Sequence, residues 1–170
     1  EGRREVIAVD EGMREDAAGW ERFFRSMIGR GLRGVGLVVG DRCAGLVSTV
    51  DSMLPNARCQ WCMVRFMRDV LSKTPPGHRE WASAALKAVV AQENRESAMA
   101  KAGTVAGEME ERKLKAAANR LREGVGETAA CLLPGFPANH RIKQSICAKK
   151  RALSFKITPV FLRRFGCGFR

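Results

Sequence analysis

Asp41 closes the apolar run Val35-Gly36-Leu37-Val38-Val39-Gly40. The carboxyl ends of neighbouring strands in an α/β sheet are where side chains from distant parts of a chain meet. A carboxylate there can ligate a hard divalent cation, or it can cap the helix that follows. Cys59 and Cys62 have the spacing of half a zinc site, but a structural site takes four ligands. The remaining candidates, Cys131, Cys147, His78 and His140, are too scattered to complete it. Buried thiols are the simpler reading. Nothing in the pattern brings a cysteine beside a histidine, so a thiol nucleophile has no support.

The elements that must position Asp41 follow from periodicity. Residues 4–9 read as a strand closed by Glu11-Gly12. Trp20, Phe23, Phe24, Met27 and Ile28 recur at three and four and predict a helix over 15–30 with an apolar face, stopped by Gly29 and Gly31. Residues 35–39 predict a strand covered on both faces. A helix follows over 44–53, ended by Pro55-Asn56, and a second short strand over 60–66. Alternation of strand and helix predicts an α/β fold with parallel neighbours. Beyond Phe66 the pattern turns helical: 67–72, 78–92 and one long charged segment over 97–123, punctuated by Pro75-Pro76-Gly77 and by the glycines at 124 and 126. After Leu133-Pro134-Gly135 the periodicity weakens.

The chain carries a formal charge of +12 over 170 residues and a pI near 10.1, which calls for an anionic partner, nucleic acid before others. Nine cations, Arg141, Lys143, Lys149, Lys150, Arg151, Lys156, Arg163, Arg164 and Arg170, follow Glu127 with no further acid. That basic tail either grips phosphate or reflects an altered reading frame. No apolar run reaches the roughly 20 residues a membrane-spanning helix needs, so no membrane is expected and the chain is placed in the cytoplasm. Its cysteines are expected as reduced thiols. Trp20 and its helical neighbours, with Trp61 and Trp81, are expected to pack, although Trp81 could also meet DNA bases. Residues 108–123 read as a solvated helix face with acid–base pairs, or as a surface that tracks DNA or contacts a second subunit.

The order strand, helix, Arg30-Gly31-Leu32-Arg33-Gly34-Val35, strand, Asp41, helix, and then Gln60-Trp61-Cys62-Met63-Val64-Arg65-Phe66-Met67-Arg68 resembles the Mutator-type bacterial transposases. These are insertion-sequence enzymes with a ribonuclease-H-like core. Glu1-Gly2-Arg3-Arg4-Glu5-Val6, the Trp20 helix, His78-Arg79-Glu80, and Phe136-Pro137 before His140 carry the likeness further, from residue 1 to about residue 140. One departure is Arg65, where family members tend to have His in a Cys-x-x-His pair with the counterpart of Cys62.

The resemblance implies an incomplete ribonuclease-H-like core over 1–66, a short parallel or mixed sheet with helices. An all-helical insertion over 67–130 and a poorly defined basic tail over 131–170 follow. It implies DNA cleavage and strand transfer with Mg²⁺ held by two Asp and one Glu, the ions roughly 4 Å apart. Asp41 matches the second Asp, making it the candidate catalytic and metal-binding residue. The first Asp is expected on a strand ahead of the chain, which opens without an initiator Met and reads as part of something longer. Asp10 does not replace it, because its strand lies about three spacings of roughly 4.8 Å from that of Asp41. The Glu is expected after Phe136-Pro137, where the chain reads Gln144-Ser145-Ile146-Cys147-Ala148-Lys149-Lys150-Arg151 without an acid. The expected protein is thus a truncated, inactive transposase. Its partners are element ends and target DNA near the nucleoid, another copy of itself, or intact transposase subunits. The alternative is a non-catalytic DNA-binding or regulatory subunit-interaction protein. The missing neighbours would leave the Asp41 strand with an unpaired edge.

Overall fold

The computed structural model describes residues 7–8, 16–133 and 156–158. Two compact units divide the chain, one drawn from 1–59 with 155–170 and the other from 60–154.

In the first unit, helix α1 (Ala17–Gly29) begins where the Asp16 carboxylate accepts from Gly19 N at 2.8 Å. Such a cap satisfies one of the donors that a helix start leaves without a partner. Trp20, Phe24 and Met27 recur at four and three and form its buried stripe. The helix stops in a Schellman motif, with Gly31 N donating to Ile28 O and Leu32 N to Met27 O, both at 3.0 Å. Gly31 takes φ +99°, a left-handed conformation that costs glycine nothing. Strand β1 (Leu37–Gly40) follows, and helix α2 (Ala44–Met53) then packs on α1. Consecutive Leu37 and Val38 are both fully buried. Since neighbouring strand residues point to opposite faces, this strand is covered on both sides at that point, as the apolar run predicts.

Strand β2 (Arg58–Trp61) lies parallel to β1, with Arg58 N donating to Gly36 O at 2.9 Å. Strand β3 (Lys156–Thr158) pairs antiparallel with the other edge of β1, Val38 opposite Ile157. The sheet order is therefore β2-β1-β3, an α/β arrangement. The unpaired edge expected for the Asp41 strand is not found. A segment of the basic tail whose residues carry no periodic signal occupies it.

The second unit is a four-helix arrangement: α3 (Met63–Ser72), α4 (Arg79–Val90), α5 (Arg95–Glu111) and α6 (Lys115–Thr128). Each helix packs on the next, and α6 returns to α3. Phe66, Val70, Leu86, Val105, Met109 and Leu121 are among its core residues. Full burial of such a side chain stabilises by about 1.5–3 kcal/mol. α5 is capped by Asn94, whose Oδ1 accepts from Ser97 N at 2.7 Å.

Three sequence expectations are corrected here. The second strand spans Arg58–Trp61 rather than 60–66, and from Met63 the chain is already helical, because Met63, Phe66 and Val70 fall on one buried helical face. A short apolar run cannot by itself distinguish strand from buried helix. The long charged helix over 97–123 is two helices. A second Schellman motif ends α5, with Lys113 N donating to Glu110 O and Leu114 N to Met109 O, both at 2.8 Å. Lys113 holds φ +62° there, and neither Gly, Asn nor Pro announces the break. The glycines at 124 and 126 do not punctuate a helix but lie inside α6. A Cβ on Gly124 would come within 2.5 Å of the Phe66 ring and 2.7 Å of the Trp61 ring, so the aromatic pair requires a bare backbone at that position. The strand expected over 4–9 and the segment from Phe136-Pro137 to His140 lie outside the described residues. Among the described residues, no helix is long and apolar enough to cross a membrane.

Candidate functional site

β1 and α2 position Asp41. Val35, Val38, Leu46 and Val50 belong to the buried cluster of this unit, which fixes the strand against the helix and sets the connection between them. Asp41 is half-buried and directly follows Gly40, the last residue of β1. Its carbonyl oxygen accepts from Cys43 N at 2.8 Å. The N-cap of α2 is Cys43, which makes no side-chain capping bond. The N-cap position of α2 thus lies two residues beyond Asp41, the residue that the strand-end pattern offers as the cap. What stands is a carboxylate at the carboxyl end of the middle strand of a sheet.

Among the described residues, no three His, Cys, Asp or Glu side chains converge to hold a metal ion. Cys59 is half-buried on β2. Cys62 is buried at the start of α3, and Cys131 is buried after α6. His78 caps the start of α4 without a side-chain bond. The half zinc site thus gains no further ligand among these residues. Asp10, His140, Cys147 and Cys167 lie outside the described residues. A pair of Mg²⁺ ions takes several carboxylate oxygens, and Asp41 alone does not supply that set.

The second unit holds residues that sequence reasoning passed over. Gln60 is fully buried, and its Oε1 accepts from Cys131 N at 2.6 Å, a bond within the second unit. Its Nε2 has no hydrogen-bond partner. The one signal available was an amide inside the mostly apolar run Cys59-Gln60-Trp61-Cys62-Met63-Val64. Arg120 lies 4.7 Å over the Trp61 ring, binds the Asp69 carboxylate through Nε and reaches Glu123 at 3.3 Å. The Asp69 hydrogen bond raises the Arg120 pKa further above its ordinary value. The Glu123 partner was legible at i+3. Asp69, on another helix, was not.

An α/β unit with a strand-end carboxylate, joined in sequence to a basic helical unit, is the class these observations define. The sequence profile described as "Transposase, Mutator family" matches residues 1–150. The transposase for insertion sequence element IS1081 of Mycobacterium tuberculosis is 37% identical over 100 residues, 59% of this chain and 24% of that protein. That for ISRM5 of Rhizobium meliloti is 41% identical over 78 residues, 46% of this chain and 20% of the relative. The transposase for IS406 of Burkholderia multivorans is 28% identical over 152 residues, 84% of this chain and 36% of that protein. The chain spans between a fifth and about a third of the length of these relatives. It belongs to the Mutator family of transposases.

Proposed function

We propose that this chain derives from an enzyme that moves an insertion element by metal-dependent DNA cleavage and strand transfer, and that Asp41 is its one carboxylate from the metal-binding triad. The observation that supports this is the position of Asp41 at the carboxyl end of β1, the middle strand of the sheet, within the family match. In this reading residues 1–66 belong to a ribonuclease-H-like core, 67–130 form the helical insertion and 131–170 the basic tail. Mg²⁺ would neutralise the charge that develops on the phosphodiester, and Asp41 would lend it one oxygen. The other oxygens are not supplied by the described residues, so no chemical step is assigned to the isolated chain.

The chain is accordingly expected to bind DNA without cutting it. Incubating it with element-end DNA in Mg²⁺ or Mn²⁺ should yield no nicked or joined product. Nicking that disappears in Asp41→Asn would overturn the inactive reading and leave the role of Asp41 standing.

A second reading is favoured by the packing of α3 to α6 on a shared core among the described residues. The chain would act without chemistry, as a DNA-binding or regulatory partner of intact transposase subunits or of another copy of itself. Co-purification with a full-length transposase checks it, and a failure to associate removes it.

A further inference from the structure

Helix α6 holds Gly124 and Gly126, and the chain itself accounts for both. A Cβ on Gly124 would strike the Phe66 and Trp61 rings, and one on Gly126 would come within 3.3 Å of Arg95 Nη2. Helix α5 holds Gly103 and Gly107, and no described neighbour accounts for either. Gly103 is exposed and Gly107 half-buried, neither takes a positive φ, and a Cβ at either position meets nothing within 4 Å. Alanine would fit both and favours the helix over glycine.

The same face is apolar although it is turned to solvent. Among the described residues Met99 alone is a large apolar side chain open to solvent, at 39% exposure. Ala100 and Thr104 are exposed beside it, and the Thr104 hydroxyl donates to Ala100 O at 3.3 Å, within its own helix. With 3.6 residues per turn, positions 96, 100, 103 and 107 follow one face of α5, which Met99 borders.

Charge gives this face a second property. Lys101 and Glu108, seven residues apart, lie on one flank of it. Glu96 lies in the first turn, and Lys113 follows the end of the helix. Both opposite-charge pairs are centred on one point, between Thr104 and Val105, and so nearly are the two glycines. A helix with that pattern is complementary to itself turned end for end. Two copies of α5 running antiparallel and crossing there would set Lys101 of each against Glu108 of the other, with Glu96 level with the other copy's Lys113. Glu110 is already held by Arg122, and Glu111 comes level with Ala98. A parallel pair would set every charge beside its own kind.

We infer that this face of α5 is where two copies of the chain dock, antiparallel and with their backbones close at Gly103 and Gly107. The inference rests on the reading above in which the chain partners another copy of itself, and it names the surface used. Small residues four apart let two helices approach more closely than the usual roughly 8–10 Å. The contact is two-fold, so each charge pair occurs twice. One helix face buries less than the roughly 1,600 Å² of a stable interface, so the pair forms and separates with concentration.

The test follows the full chain by sedimentation velocity under reducing conditions, from low to high micromolar concentration. Wild type should pass from monomer to dimer. Lys101→Glu and Glu108→Lys should each weaken the dimer about tenfold, because each turns two attractions into two repulsions. The double variant Lys101→Glu/Glu108→Lys should recover it. Gly103→Leu should abolish the dimer while raising the melting temperature of the dilute chain, since leucine favours the helix and a Cβ there is unobstructed. Should a charge variant fail to fold, Gly103→Leu decides. A dimer that persists in Gly103→Leu and in both single charge variants overturns the inference and leaves copies pairing through another surface. A chain that stays monomeric also overturns it; if that chain still binds full-length transposase, the partner reading survives without the inference.

Discussion

Helices α1 and α5 end in the same two backbone hydrogen bonds, yet Gly31 closes one and Lys113 the other. In the first unit the turn is made without strain and delivers the chain to β1 and Asp41. In the second the same turn is made by a residue that resists it, directly after the acidic last turn of α5. The difference separates two tasks. The α/β unit presents a strand-end carboxylate on a framework of local geometry, whereas the helical unit is built on aromatic packing. Trp61 and Phe66 meet edge-on at 5.1 Å, and Gly124 leaves room for them.

The largest expected effect tests whether the units are energetically distinct. Phe66→Ala should cost the helical unit about 3–5 kcal/mol and Phe24→Ala the same in the α/β unit. Hydrogen exchange should show each loss confined to its own unit, and uniform loss from either variant would break the comparison. Gly124→Ala should destabilise the helical unit by about 1–3 kcal/mol through collision with Phe66, read from the urea midpoint. Phe66→Leu in the same background should recover part of that loss.

Smaller effects sharpen the contrast between helix ends. Asp16→Ala and Asn94→Ala should each cost about 1 kcal/mol, one per unit. Lys113→Gly should gain up to about 1 kcal/mol by relieving the left-handed lysine, whereas Gly31→Lys should lose a similar amount. Thermal melts of the four variants check these signs. The smallest effect concerns Glu110, whose pKa is lowered chiefly by its hydrogen bond with Arg122. Its contribution to stability is complete above the usual Glu range and is lost as pH falls through the lowered folded value. An acid titration of stability should therefore lose a small increment in that window, and Glu110→Gln should remove the increment.

The α/β succession around Asp41 was legible because each element carries its own period. Residues 44–53 were predicted as helix, and α2 spans Ala44–Met53. The apolar run before Asp41 became β1 for the same reason. What could not be read depended on partners distant in sequence. Met63 to Phe66 looks like strand until the α6 surface that buries Phe66 is known. Gly124 looks like a helix breaker until two aromatic rings are placed beside it. The break at Lys113 left no signal, since its residue opposes the conformation it adopts. β3 arises from pairing with β1, and its sequence alone lacks a strand period. At the candidate site, Asp41 was found from its strand end, whereas Gln60 and Arg120 are defined by Cys131 and Asp69, 71 and 51 residues away.

The central claim is that Asp41 is a single member of a carboxylate set. Titrating the isolated chain with Mn²⁺, with free ion followed by electron paramagnetic resonance, tests it most directly. The expected result is weak binding, with at most a slight further loss in Asp41→Asn. Tight uptake of two ions per chain, abolished by Asp41→Asn, would contradict the account.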